Sequence, residues 1–355
     1  MALVKEIGKA VELTPKSKLV LIDADTIAYR AASKFQNDMY RIHKAHLEPL
    51  GLSQEDGDLA WQGKREAYAW GKKKDIVIGP ADLEKFVESV GEISAALATV
   101  KRELAAVIKQ PWVKDFRIYL EGEGNFREQR ATLQPYKGNR EGTEKPELLK
   151  EVVEYIKTRW EGKVITAEGI ETDDKVSLTG WKWYRRARRM QDRDKCEVVL
   201  AFVDKDLRQI AGYHWNYQKP DDPVLWMNDV EGFKHLCWQC LLGDDTDHIA
   251  GLTKWSKELS AQWGLAKRAT IGEVGCWNQV KDLGNKKELA QKVIDIYKSV
   301  YGAEPFEQYL EVPDKTEMIT WDYILNENAA LLWMLHTEDE VFVFTDYAED
   351  LGCEI

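Results

Sequence analysis

The sequence predicts an α/β fold, a mostly parallel sheet flanked by helices, continuing into a helical C-terminal region. Three observations predict it. Short apolar runs alternate with amphipathic stretches up to about residue 215, several of those runs end in an acidic residue, and helical spacing with Trp-rich segments takes over beyond. Strands alternating with helices build a parallel sheet covered on both faces. Open sheets of that kind place their sites outside the carboxyl ends of the strands.

The elements follow in order. Lys18-Leu19-Val20-Leu21-Ile22-Asp23 reads as a buried strand ending in an acid. Residues 37–79 are polar and irregular, contain Lys72-Lys73-Lys74, and read as an exposed excursion. From Pro80 onward Leu83, Phe86, Val87, Val90, Ile93, Leu97, Val100, Leu104 and Val107 recur at spacings of three and four, which predicts one long helix. Phe116-Arg117-Ile118-Tyr119-Leu120 is a second strand, closed by Glu121. Residues 122–145 are rich in Gly, polar and basic residues and predict a mobile loop. A helix is expected from about Pro146 to Trp160, a short strand at Val164-Ile165 and another helix from near Glu171. Val198-Val199-Leu200-Ala201-Phe202-Val203 is the strongest strand in the chain and ends at Asp204. The pattern change divides the chain into residues 1–215 and 216–355. The second part closes on Glu338, Asp339, Glu340, Asp346, Glu349, Asp350 and Glu354, expected to be a solvated tail.

Composition narrows the function. Hydrophobic residues at 44% and charged residues at 31% suit a soluble enzyme. No apolar run approaches the ~20 residues of a membrane helix, so no membrane partner is expected. Met1-Ala2-Leu3-Val4-Lys5-Glu6 is too short and too acidic for a secretory leader. Five scattered cysteines, an odd number, fit a reducing cytosol, and a cytoplasmic location is expected. The net charge of −11 argues against a protein that grips phosphate through Lys and Arg alone. An enzyme rich in carboxylates for divalent cations, however, is acidic before its metals arrive.

Five acidic clusters carry the chemistry: Asp23-Ala24-Asp25, Glu121 with Glu123, Glu171-Thr172-Asp173-Asp174, Asp204-Lys205-Asp206, and Gly243-Asp244-Asp245-Thr246-Asp247. At an extended strand end Asp204 and Asp206 point the same way. In the first turn of a helix Glu171 and Asp174 share a face, where the helix dipole favours them. Carboxylates gathered in one place repel unless cations sit between them, and Mg²⁺ suits oxygen ligands and phosphate chemistry. A lone acidic pair among 61 acids is more often solvated surface or a helix cap. Asp23 and Asp204 stand out because each directly follows an apolar strand.

The order Leu21-Ile22-Asp23-Ala24-Asp25, Tyr136-Lys137-Gly138-Asn139-Arg140, Glu171-Thr172-Asp173-Asp174, Asp204-Lys205-Asp206 and Gly243-Asp244-Asp245-Thr246-Asp247-His248-Ile249-Ala250-Gly251 resembles the flap endonuclease and 5′→3′ exonuclease family. The phage replication exonucleases look closest, and the likeness spans about residues 19–270. The resemblance implies a PIN-like nuclease domain over residues 1–215, with residues 122–150 as an arch or gateway. Residues 216–355 would then carry a helix-two-turn-helix element that grips duplex DNA, with K⁺ a candidate ion there. It implies two Mg²⁺ ions, replaceable by Mn²⁺. Asp23, Glu171, Asp173 and Asp204 would serve the catalytic ion, with Asp174 as ligand or supporting acid. Asp206, Asp244 and Asp247 would hold the second ion through waters. Glu121, or Glu123, stands where the family has Asp, and His248 and Ala250 replace its Asn and Pro.

Residues 127–150 hold six basic residues (Arg127, Arg130, Lys137, Arg140, Lys145, Lys150) against four acids (Glu128, Glu141, Glu144, Glu147). Lys137 and Arg140 match the family positions that hold and polarise the scissile phosphate, with Arg127 assisting. Lys254 and Lys267, with Lys257 and Arg268, fall in the DNA-gripping turn. The expected activity is 5′→3′ DNA exonuclease action on duplex or flap ends in phage replication or primer removal, with replication proteins as candidate partners. Three alternatives stay open: a structure-specific flap endonuclease, an inactive DNA-binding accessory, and a PIN-type ribonuclease. The arginines of Trp181-Lys182-Trp183-Tyr184-Arg185-Arg186-Ala187-Arg188-Arg189 are left outside the site, and Cys237 and Cys240 read as core cysteines rather than zinc ligands.

Overall fold

The computed structural model describes residues 7–140 and 143–355. The N-terminal hexapeptide read against a secretory leader, and Glu141 of the basic segment, lie outside the described residues. The chain forms two compact units, one of Met1–Asp25, Val107–Thr143 and Lys163–Ile355, the other of Thr26–Ala106 and Glu144–Gly162. The division is interleaved along the chain and does not fall at residue 215.

In chain order the strands are β1 (Lys9–Val11), β2 (Lys18–Asp23), β3 (Gln36–Ile42), β4 (Leu83–Val90), β5 (Val113–Glu121), β6 (Val164–Ala167), β7 (Val198–Phe202), β8 (Gly212–Asn216), β9 (Val224–Met227), β10 (Phe306–Leu310) and β11 (Lys315–Ile319). The first unit is built on a seven-stranded sheet in the order β1-β9-β8-β7-β2-β5-β6. β2 runs parallel to both β5 and β7, β5 to β6 and β7 to β8, while β9 is antiparallel to its neighbours. All of β7 is buried, as a central strand covered on both faces must be. From β2 the chain moves out through β5 to β6, then returns to β7 on the other side. Asp23 and Asp204 therefore leave adjacent strands at the switch point, where such sheets form their clefts.

The helix Thr172–Arg189 packs on this sheet through Val176, Gly180, Tyr184 and Ala187, spaced at four, four and three. A Cβ at Gly180 would come within 3.2 Å of Leu200 and Ile210, so the small residue permits the close approach. Its first turn holds Asp173 and Asp174 and its last turn Arg186, Arg188 and Arg189, both favourable to the helix dipole. Trp181 and Tyr184 are buried in the core, whereas Trp183 is half-buried with Arg186 over its ring.

Helices Asp229–Leu242, Lys286–Tyr301 and Trp321–Leu332 share the largest apolar core. The region expected to be helical also contains β9 and the hairpin β10–β11. The acidic end is no solvated tail. Phe344, Thr345 and Ala348 of the helix Phe344–Asp350 are buried, and Phe342 stacks on Trp333 with ring centroids 3.9 Å apart, leaving only the acids outside. Cys237 and Cys240 are fully buried in the core.

In the second unit two expectations are corrected. Residues 83–90 are β4, paired antiparallel with β3, and the helix is confined to Ile93–Ile108. Phe86, Val87 and Val90 suit a strand, and Gly91 separates them from the helix, so the spacing of three and four crosses a break. Residues 37–79 are not irregular. They include most of β3 and the helices Gln54–Gly57 and Lys64–Lys73, around a small core of Ile42, Leu47 and Ile78. Among the described residues no helix is long and apolar enough to cross a membrane.

Candidate functional site

Asp23 closes β2 almost entirely buried, and Asp204 follows β7 in an exposed turn. Asp25 braces the same corner. Its Oδ1 accepts from the Glu121 backbone N–H at 2.9 Å and its Oδ2 from the Thr172 hydroxyl, tying β5 to the helix Thr172–Arg189. Sequence reading placed Asp25 in a cluster without giving it this role; its i+2 spacing from a strand-end acid is the signal. Next to it, a Cβ at Gly122 would lie 2.1 Å from the Ala167 carbonyl oxygen, so only glycine fits between β5 and β6. Glu121 and Glu123 are both exposed.

The carboxylates influence one another strongly. Burial pushes the Asp23 carboxyl well above its usual range, and the charges of Asp25 and Asp204 add to it. Asp173 is raised by burial, then by Glu171, Asp174 and Asp204. Asp206 is raised by burial, then by Asp204 and Asp244. Asp204 is thus common to three acids that come from β2, the helix Thr172–Arg189 and the turn after β7. The second-ion candidates adjoin: Asp206 accepts from Gln239 Nε2 at 2.5 Å, and buried Asp244 has Lys205 Nζ at 2.8 Å.

Cations hold the remaining acids. Lys137 Nζ pairs with Glu171 and lies 3.9 Å from Asp247, while Arg140 Nη2 is 2.7 Å from Asp247 Oδ1. The Tyr136 hydroxyl lies between Glu171 Oε2 at 3.0 Å and Asp247 Oδ2 at 3.1 Å. Burial works against charge on Glu171, yet Arg127 and Lys137 keep its carboxyl below the usual range. Burial likewise opposes the Lys137 ammonium, and Glu171 and Asp247 outweigh it and raise its pKa. The segment expected as a mobile loop is therefore anchored where Tyr136, Lys137 and Arg140 meet these acids.

Arg127 departs furthest from expectation. It is 0% exposed, and its guanidinium grips both oxygens of equally buried Asp174. It also donates to the carbonyls of Leu331 at 2.8 Å and Trp333 at 2.7 Å. A side chain enclosed in this way has no face left for DNA, and Asp174 serves Arg127 instead of an ion.

Among the described residues no three His, Cys, Asp or Glu side chains converge closely enough to hold an ion as they stand. Four carboxylates are engaged by Lys137, Arg140, Arg127 and Lys205, which accounts for part of that spread. The donor set nevertheless fits a hard divalent cation. Asp23, Asp173 and Asp204 offer only carboxylate oxygens, repel one another, and form no ion pair with Lys or Arg among the described residues, although the charges of Arg127 and Arg208 reach Asp173 and Asp204.

The loop after the helix Asp229–Leu242 is fixed by two glycines with positive φ. A Cβ at Gly243 (φ 76°) would meet the Ile249 oxygen at 2.4 Å, and one at Gly251 (φ 60°) the Gly243 nitrogen at 2.3 Å. Asp244 and Ile249 exchange backbone hydrogen bonds across it, each 2.8 Å. Short helices follow at Lys257–Gln262 and Glu273–Val280. Lys254 and Lys267 are exposed here, Lys254 Nζ lying 3.7 Å from the centre of the Phe306 ring.

No family model and no curated protein matches the sequence. Solved structures give faint likenesses. The phage T5 D15 protein crystallised with metal ions aligns at TM-score 0.43 and 13% identity, covering 94% of this chain and 91% of that one. The T5 5′-exonuclease with bound zinc aligns at TM-score 0.39 and 16% identity, covering 94% and 98%. The Rad2 catalytic core with a DNA substrate aligns at TM-score 0.33 and 14% identity, covering 81% and 77%. At that level of likeness, the reading of the site rests on this chain's own residues.

Proposed function

We propose that this chain is a divalent-metal-dependent 5′→3′ DNA exonuclease that hydrolyses phosphodiester bonds with two ions, Mg²⁺ or in its place Mn²⁺. One observation carries the reading: Asp23 closes β2 and Asp204 follows β7, adjacent parallel strands at the switch point of the sheet, with Asp173 in the first turn of the helix packed on it. Mutually repelling carboxylates are costly to a fold unless a cation uses them. In this assignment Asp23, Glu171, Asp173 and Asp204 hold the first ion, with Glu121 at its edge. Asp206, Asp244 and Asp247 orient the second.

Such ions, when bound, would supply Lewis acidity toward the attacking water and the leaving 3′ oxygen. The chain's own residues do the rest. Lys137 and Arg140, which pair with Glu171 and Asp247, would hold the scissile phosphate and meet its developing negative charge. Tyr136, whose phenol is pushed far up by burial and Glu171, stays neutral and donates to the acid beside it. Lys254 and Lys267 contact the duplex backbone, where recognition follows shape rather than base sequence. We place the candidate K⁺ ion at the loop of Gly243 and Gly251.

The test is cleavage of 5′- and 3′-end-labelled duplex and flap DNA by the wild type, Asp173→Asn and Asp204→Asn, with Mg²⁺ and with EDTA. Ordered loss of nucleotides from the 5′ end, abolished by EDTA and by both variants, is expected. Cleavage confined to flap junctions would replace the exonuclease with a flap endonuclease, and undiminished activity of the variants would remove the nuclease assignment.

A further inference from the structure

We propose that a cavity along β8 and β9, reaching the carboxyl end of β7, is a subsite for a nucleoside 5′-monophosphate group. It has a volume of about 260 Å³ and is lined by Phe202, Leu225, Met227 and Ile7, with Arg208 and Lys219 as its cationic groups and exposed Asp222 as its one acid among the described residues. The proposal deepens the nuclease reading and rests on it for the identity of the ligand.

Three features point to an anion with an apolar body. First, Arg208 is only partly exposed, and among the described residues its guanidinium has neither a hydrogen bond nor an ion pair, the charge of Asp204 reaching it from beyond pairing distance. Five donors held in a crevice without an acceptor are a ready site for phosphate oxygens. Lys219, exposed on the loop after β8, adds a second charge at the mouth. Second, part of the lining is apolar. Phe202, Met227 and Ile7 are almost wholly buried, and Leu225 pairs across the sheet with His214. A planar base resting on such a wall loses water on one face while its sugar-phosphate reaches the cations. Third, the cavity reaches toward the acids: Val203 lines it immediately before Asp204, and the Asp204 charge acts on Arg208. The volume is at the small end for ligand pockets, which start near ~300 Å³, and suits one nucleotide rather than an oligonucleotide. Two sources share this chemistry, the 5′-terminal nucleotide of a DNA strand and a released mononucleotide.

The experiment titrates the full chain with dTMP and with thymidine by calorimetry, in Mg²⁺ and in EDTA. Arg208→Gln and the cavity-filling Leu225→Trp are the variants, each checked for folding by circular dichroism. Saturable dTMP binding, at least tenfold tighter than thymidine and weakened at least tenfold by either folded variant, is expected. No saturable binding by the wild type, or equal binding by both variants, overturns the subsite. Cleavage of 5′-phosphorylated against 5′-hydroxyl duplex separates the sources. A preference for phosphate that shrinks in Arg208→Gln assigns the terminal nucleotide. Inhibition by dTMP that is relieved in Arg208→Gln, with no such preference, assigns the product. Neither effect, in a chain that cuts DNA, overturns the role in catalysis. A chain that cuts neither duplex defeats the nuclease reading, while dTMP binding still decides the subsite.

Discussion

Arg127 and Asp174 form the residue pair with the most at stake, because both are wholly enclosed. Arg127→Met leaves Asp174 a buried charge without its counter-ion, a loss of about 3–5 kcal/mol. Urea unfolding is expected to show it, and Asp174→Leu added to Arg127→Met is expected to recover part, since an apolar pair replaces an ionic one. A double variant no more stable than the single would contradict the pairing. Histidine sets a second expectation. Burial holds His214 neutral down to about 3, and the buried ring of His336 is lowered too. Unfolded imidazole takes a proton near ~6.5, so between that pH and about 3 the unfolded chain binds more protons. Acidification through this window therefore removes stability, by up to ~1.4 kcal/mol per pH unit for each such histidine. Urea midpoints at successive pH values, with a shallower slope in His214→Phe, check it.

At the scale of elements the loop at Gly243 and Gly251 leaves least latitude. A Cβ at either position would strike backbone within 2.4 Å, at a positive φ. Gly243→Ala is expected to cost at least about 1–3 kcal/mol in thermal or urea unfolding and to loosen the Asp244–Ile249 bridge, seen as faster amide exchange of those two residues. The strands β2, β5 and β7 were legible because central parallel strands are continuous apolar runs, and their closing acids marked the corner where the site lies. β4 was not legible. Its residues satisfy helical spacing by coincidence, and only the partner strand β3, forty residues earlier in the chain, selects the extended form. Arg127 was misread for a related reason. A basic residue in a polar stretch looks solvent-facing until Asp174 and the carbonyls of residues 331 and 333 arrive around it. Local spacing records periodicity, not which distant groups will enclose a charge.

For the molecule as a whole, the predicted consequence is a link between divalent ions and stability. Ions that bind only the folded chain raise its stability by about 2.7 kcal/mol at a hundred times their dissociation constant. Mg²⁺ or Mn²⁺ is expected to raise the thermal midpoint, and Asp173→Asn with Asp204→Asn is expected to abolish that rise. An unchanged rise in the double variant would place the ions elsewhere. The same wholeness appears in how the corner of the site is closed. Arg127 finds its acceptors at Leu331 and Trp333, more than two hundred residues downstream, and Leu335 donates its N–H to Asp174. During synthesis the early strands emerge long before those partners exist, so the nascent protein carries an unfinished acid pocket until translation has passed residue 335. A chain stalled short of that point is born without the last brace of Arg127 and Asp174.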